Sequence, residues 1–304
     1  MYSSQKFCIG LLLLLSYTPL HATPGCGTHG VWLQVLGSGG PELNDGRASS
    51  GYLLWRDGKA RVLVDMGSGS LLRFEESGAE INDLDVILLS HLHVDHSSDL
   101  PALIKASFFT DRNRDLPLYG PTGNQVMPST TAFVRGLFGA KGVYRYLSDY
   151  LDGSASYRLV AHDVPATGKT QDVVIKTSDY TITAVPVHHG PIPALAWRVL
   201  LAGKTVVFSG DMNNDNDTLS ALAQNADYLV ADHAIPEGTS GVARNLHMPP
   251  SVIGQIAAKA HVKQLILSHL MKRTLGQEEP SLEIIKRSYS GSVHFADDLQ
   301  CYKP

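Results

Sequence analysis

The sequence predicts an α+β fold in which a core of strands is covered by helices on both faces. Three observations lead there: strand-like apolar runs recur along the chain, helical patterns fall between them, and no charge run, low-complexity tract or Gly/Ser linker intervenes. With 43% hydrophobic and 18% charged residues, the 304-residue chain is not disordered as its main state. Residues 23–304 are expected to form one domain, since layered enzymes of this length often do.

The elements follow in order. Lys6 precedes an apolar stretch from Phe7 to Leu15, and Ser16 to Ala22 ends in a small residue suited to cleavage. The stretch is too short to span a bilayer, so residues 1–22 read as a secretory signal peptide and the mature protein as periplasmic or secreted, without a membrane span. Cys26 and Cys301 then stand near the two ends of the mature chain. In an oxidising compartment such a pair invites a disulfide. Strands are expected at Val31–Leu36, Tyr52–Trp55, Arg61–Asp65 and Val86–Ser90, with helices at Ser70–Ser77, Asp99–Ser107 and Gly123–Phe138. Lys141–Tyr157, rich in Tyr with Asp and Gly, reads as an insertion that forms a lid or a contact surface. A second strand group follows at Val173–Thr177, Thr181–Val187, Ala196–Leu201, Thr205–Ser209, Tyr228–Ala231, Gln264–Ser268 and Ser292–Ala296. Its helices are expected at Thr218–Asn225, Pro250–Ala260 and Ser281–Ser288.

Composition excludes several functions. A formal charge of −4 and a pI near 6.3 argue against holding nucleic acid by bulk electrostatics, and no basic stripe with interleaved aromatics appears. Three Cys are too few for a disulfide scaffold or a zinc-finger array. The 13 His are the feature to explain, because several of them cluster.

The densest cluster is Ser90-His91-Leu92-His93-Val94-Asp95-His96, directly after the apolar run Val86–Leu89. A strand running into a loop holds side chains rigidly at one sheet edge. His91 and His93 can turn to one ion, and Asp95 and His96 to a neighbouring one. Neutral imidazole and carboxylate are ligands of Zn²⁺ and similar metals. Left unpaired and buried at this density, these groups would cost several kcal/mol, on the order of the usual desolvation penalty. Three further strands end in ligand types: Val187-His188-His189-Gly190, Phe208-Ser209-Gly210-Asp211 and Leu267-Ser268-His269. One such strand end alone is a weak signal; three beside a four-ligand cluster are not.

With these residues the sequence resembles the metallo-β-lactamase superfamily of hydrolases over nearly all of the mature chain. His91-Leu92-His93-Val94-Asp95-His96 is similar to its HxHxDH signature, and Leu36–Gly40, Ser49–Leu53 and Leu63–Gly67 are similar to its opening segments. The resemblance implies an αββα sandwich, two mixed β-sheets back to back with helices outside and metals at one edge. It also implies two divalent metal ions, with His91, His93 and one of His188 and His189 at the first. Asp95, His96 and His269 would serve the second, and Asp211 would bridge both. The stretch after the pair resembles the family's HG-x-PA run and selects His189, with His188 as a supporting or substrate-facing group. Mixed His/Asp ligation suits Zn²⁺, with Mn²⁺ or Fe as alternatives.

A bridging aspartate such as Asp211 resembles the phosphodiesterase, arylsulfatase, thioesterase and lactonase branches rather than true β-lactamases. Asn245-Leu246-His247-Met248-Pro249 resembles the segment of the ribonuclease Z branch whose His donates a proton, and Asp232 stands where that branch has an acidic partner. The implied catalytic residues are therefore Asp95, His247 and Asp232. The chain departs from ribonuclease Z in lacking a basic, Gly/Pro-rich arm for tRNA. The expectation is an exported dinuclear hydrolase of phosphodiester or sulfate esters with a small-molecule ester substrate. No stable nucleic-acid partner is expected, and a homodimer is compatible with this reading. An acyl hydrolase for a lactone, thioester or β-lactam, and a catalytically silent metal-binding protein, are the alternatives. The pocket walls are expected from Gly40–Ser49, Lys141–Tyr157 and Ile192–Leu195.

Overall fold

The structure, a computed structural model, describes residues 26–304. The expected signal segment 1–22 lies outside the described residues. Two seven-stranded mixed sheets lie face to face. The first runs β14-β1-β2-β3-β4-β5-β6, with β1 Val31–Gly37, β2 Gly51–Arg56, β3 Lys59–Met66, β4 Val86–Leu88, β5 Leu116–Pro121, β6 Leu159–Val164 and β14 Cys301–Tyr302. The second runs β13-β12-β11-β10-β9-β8-β7. Its strands are β7 Asp172–Lys176, β8 Tyr180–His189, β9 Ile192–Leu201, β10 Lys204–Phe208, β11 Tyr228–Asp232, β12 Gln264–Ser268 and β13 Ser292–Phe295. In each sheet an antiparallel meander passes into a parallel run, β3 to β6 in one and β10 to β13 in the other.

Strand alternation sorts the apolar residues into three cores. Tyr52 and Leu54 face the space between the sheets, while Leu53 and Trp55 face the helices outside. In the same way Val206, Phe208 and Val230 point inward, and Val207, Leu229 and Ala231 point to the other helical layer. Strands β10, β11 and β12 are covered on both faces, which is why they read as unbroken apolar runs rather than alternating ones. The result is the αββα sandwich.

Side-chain bonds tie the two sheets together just beneath one edge. Trp197 of β9, fully buried, donates its indole N–H to the Leu89 carbonyl at 3.1 Å. Tyr52 of β2 donates to Ser268 Oγ of β12 at 2.9 Å. Cys26 and Cys301 form a disulfide, pinning the start of the described chain to β14.

Three expectations are corrected. β5 and β6 lie outside the expected strands; β5 contains Pro117, Gly120 and Pro121, residue types disfavoured within a strand, yet it pairs with a parallel strand on each side. The expected helix Gly123–Phe138 forms only over Thr130–Phe138, capped by the Ser129 hydroxyl accepting from the Ala132 N–H. Lys141–Tyr157 is not a free-standing insertion. Leu147, Tyr150 and Tyr157 are buried in the core of the first helical layer, and Tyr157 hydrogen-bonds Ser107. Among the described residues no helix is long and apolar enough to cross a membrane.

Candidate metal centre

Six strand ends converge on one edge of the sandwich, at the carboxyl ends of β3, β4, β8, β10, β11 and β12. Backbone conformation there is specialised. Asp65 and His269 take left-handed φ angles of 54° and 53°, turning each side chain off its strand axis toward the edge. Gly210 has φ 56° and passes against Ser90, so the chain turns sharply and presents Asp211. Gly67 packs so tightly on the Asp95 carbonyl that a Cβ would overlap it.

Two sets of donors face each other across Asp211. In the first, His91 Nε2 and His93 Nδ1 are 3.0 Å apart, and His189 Nε2 is 3.3 Å from His93 Nδ1. Asp211 Oδ2 lies 3.9 Å from His91 Nε2 and 3.7 Å from His189 Nε2. In the second, Asp95 Oδ2 is 3.1 Å from His269 Nε2 and 3.5 Å from His96 Nε2. Asp211 Oδ1 is 3.4 Å from both of these imidazoles. Thus the two carboxylate oxygens of Asp211 address different sets.

These residues fit divalent cations. Ligands held about 2.0–2.2 Å from a tetrahedral ion stand roughly 3.3–3.6 Å apart, close to the spacings seen. His96 Nε2 and Asp211 Oδ1 are buried without a hydrogen-bond partner, a costly state unless a cation meets their lone pairs. Protonation shows the same demand for positive charge. Burial alone would lower His269, but Asp211, Asp232 and Asp95 outweigh it and hold the imidazole at about 10. Burial also opposes ionisation of Asp95, yet His96 and His269 hold it at about 2. In the first set burial dominates, pushing His91 and His189 down toward the neutral, ligating form.

Four of the five candidate ligand imidazoles have a neighbour at their second nitrogen. His91 Nδ1 meets Ser90 Oγ at 3.0 Å, His96 Nδ1 donates to Asp65 Oδ2 at 2.9 Å, and His189 Nδ1 donates to the Leu246 carbonyl at 2.9 Å. His269 Nδ1 faces Asp232 Oδ1 at 3.1 Å. The other oxygen of Asp232 accepts from His247 Nδ1 at 2.7 Å. Asp211, Asp232 and His247 form a third group of donors, but His247 Nδ1 and Asp232 Oδ2 satisfy each other directly, so the two form a hydrogen-bonded pair beside the ligand sets. His247 Nε2 is left as the nitrogen available to the cleft.

The structure therefore brings together all nine residues singled out from the sequence. It separates the histidine pair by strand alternation: His189 turns into the cluster, while His188 stands half-exposed near Asn213 and Asp215. Two roles were not read beforehand. Asp65 orients His96 and holds the Ser90 N–H and hydroxyl, a role its place at a strand end before Met66-Gly67 could have suggested. Asp232 serves His269 as well as His247. The cleft above the cluster, about 400 Å³, has different walls from those expected. Pro41 comes from the Gly40–Ser49 loop, but Lys141–Tyr157 and Ile192–Leu195 do not line it; the helix Gly241–Leu246, Met271 and Arg273 do.

Residues 60–270 match the family model described as "Beta-lactamase superfamily domain". The chain belongs to that superfamily. Ribonuclease Z of Haloferax volcanii is 26% identical to it over 299 aligned residues, covering 87% of this chain and 92% of that protein. Ribonuclease Z of Mycobacterium sp. (strain KMS) is 29% identical over 289, covering 89% and 98%. Among solved structures, the metallo-β-lactamase fold protein YhfI of Bacillus subtilis superposes with a TM-score of 0.70 at 23% identity, covering 90% of this chain and 99% of that one. The protein is thus a metal-dependent hydrolase of the metallo-β-lactamase superfamily, in its ribonuclease Z-like branch, with the superfamily's αββα fold.

Proposed function

We propose that this hydrolase cleaves phosphodiester or sulfate esters of small molecules. The observation that carries the reading is the pair His247–Asp232: a buried carboxylate holds one imidazole nitrogen, and the imidazole lies 3.9 Å from the Asp211 carboxylate that both ligand sets share. The similarity to proteins named ribonuclease Z supports the phosphodiester side.

His91, His93, His189 and Asp211 would hold one divalent ion, and Asp95, His96, His269 and Asp211 the other, with Zn²⁺ the metal that best suits this donor set. Bound there, the ions would polarise the ester and make water a nucleophile near neutral pH. The chain's own residues do the rest. Asp211 offers one oxygen to each set and so fixes their separation. Asp65 and Asp232 hold the His96 and His269 rings in the orientation that turns Nε2 to the centre. Asp232 accepts from His247 Nδ1, which makes Nε2 the nitrogen that protonates the departing alkoxide or phenoxide as its bond to phosphorus or sulfur breaks. Recovery of His247 needs one proton from solvent, and the open cleft admits it.

In this reading residues 23–304 act as one catalytic domain delivered to the periplasm or the exterior by residues 1–22. The Cys26–Cys301 disulfide supports an oxidising compartment. The test is a panel of metal-loaded protein against a bis-aryl phosphodiester, an aryl sulfate, a lactone, a thioester and a β-lactam. Turnover of the first or second supports the proposal. Turnover confined to the acyl substrates, or none with metal bound, refutes it.

A further inference from the structure

The cleft over the His/Asp cluster has a composition that says more about the substrate. Beyond the candidate ligands and His247, it is lined by Pro41, Val242, Ala243, Leu246, Met271 and Arg273. Five of these six are apolar. Val242, Ala243 and Leu246 come from one side of the short helix Gly241–Leu246, which buries none of its residues in the core; Val242 is 77% exposed. The helix is nonetheless fixed in place. Its last carbonyl accepts from His189 Nδ1, and the Asn245 carbonyl accepts from Asn213 Nδ2 at 2.8 Å. An exposed apolar face held rigidly beside a polar centre is built to meet a ligand rather than to pack the fold.

Arg273 is the one permanent cation in the lining. Its Nε donates to the Ala234 carbonyl at 2.5 Å and Nη2 contacts Met271 Sδ at 3.2 Å, so the guanidinium is held in place. Arg273 is exposed, and Nη1, with no hydrogen-bond partner among the described residues, is open to solvent or to a ligand oxygen. One guanidinium matches one anionic group. A polynucleotide strand is held by a run of cations along its phosphates, and this lining does not supply one.

We propose that the substrate is a monoanionic ester carrying an aryl or branched alkyl group. That group packs on Val242, Leu246, Met271 and Pro41 while Arg273 contacts a non-bridging oxygen. The inference rests on the hydrolase reading above but is tested by binding, which needs no turnover. Diphenylphosphinate and dimethylphosphinate are uncleavable monoanions that differ only in their apolar groups, and a uridine dinucleotide supplies the nucleic-acid comparison. Equilibrium titration into the metal-loaded full chain is expected to give diphenylphosphinate a Kd at least about tenfold below either of the others, the scale of a gained apolar contact in such a pocket. Val242→Asp with Leu246→Ser is expected to erase that preference, Arg273→Gln to weaken both phosphinates together, and Phe109→Ser, outside the cleft, to change neither. Equal or tighter binding of the dinucleotide, or a preference unmoved by the double variant, overturns the inference. Failure of the hydrolysis panel alongside the expected binding would sink only the catalytic reading.

Discussion

Replacing His247 with Ala removes the one imidazole of the cleft that neither ligand set uses. Its Nδ1 donates to Asp232 Oδ2 at 2.7 Å, and both side chains are buried. A proton donor fixed in this way contributes about 10²–10⁴-fold to expelling a poor leaving group. Part of that factor belongs to the carboxylate. A hydrogen bond between an imidazolium and a buried carboxylate contributes about 1.5–3 kcal/mol, which at about 1.36 kcal/mol per decade is roughly 10- to 150-fold. Asp232→Asn is therefore expected to lose about that much of kcat for an alkoxide leaving group while keeping the side-chain volume. Because Asp232 Oδ1 also faces His269 Nδ1 at 3.1 Å, the same variant is expected to weaken metal binding by about 10- to 100-fold. The assay must run at saturating metal with bound metal counted. It compares kcat for two diesters that share the transferred group, one releasing nitrophenolate and one an alkoxide. His247→Ala should slow the alkoxide by about 10²–10⁴-fold and the nitrophenolate by less than about tenfold. Equal slowing of both would refute proton donation. Loss of bound metal in His247→Ala would instead make it a ligand, and the 2.7 Å pair would need another account.

Three further outcomes are expected. Asp211→Ala removes an oxygen from each donor set, so activity should vanish and bound metal should fall from two ions per chain to one or none; full turnover with a single ion would sink the bridging role. Cys301→Ser opens a disulfide spanning 275 residues of sequence, and loops of that length lose on the order of 2–5 kcal/mol when cut, a fall in Tm on the order of 10 °C. An unchanged Tm, with reductant equally silent on the native protein, would remove the disulfide as a stabiliser. Mass spectrometry of the protein from its native source should find Thr23 as the first residue, and retention of Met1 would remove the export proposal.

The chemistry of this protein was readable in its sequence because the fold places it at strand ends. β10, β11 and β12 are buried on both faces, so each appears as an apolar run, and the polar residue that ends it stands out: Asp211, Asp232 and His269. The cluster His91–His96 was readable for the same reason, since it follows β4. What was hidden depends on pairing across long separations. Asp65 meets His96 only once β3 and β4 pair, and Asp232 faces His269 only once β11 and β12 pair; both are parallel pairs joined by long crossovers, and no local pattern announces either contact. β5 was hidden by its own prolines, and the walls of the cleft by the absence of any burial pattern in Gly241–Leu246.

These hidden contacts decide which residues can be ligands. Strand alternation alone sends one of His188 and His189 inward, but the Leu246 carbonyl on His189 Nδ1 settles which nitrogen faces the centre. His247 has the ligand chemistry of its neighbours and sits 3.9 Å from Asp211, so its residue type alone would place it among them. What sets it apart is Asp232, whose two oxygens divide between a histidine inside the second donor set and one outside it. One oxygen faces His269 Nδ1 at 3.1 Å; the other accepts the hydrogen bond from His247 Nδ1 at 2.7 Å. A single buried carboxylate thereby separates the residue that would hold metal from the residue that would move the proton. This is why the Asp232→Asn variant, read by bound metal and by leaving-group dependence together, tests both assignments in one protein.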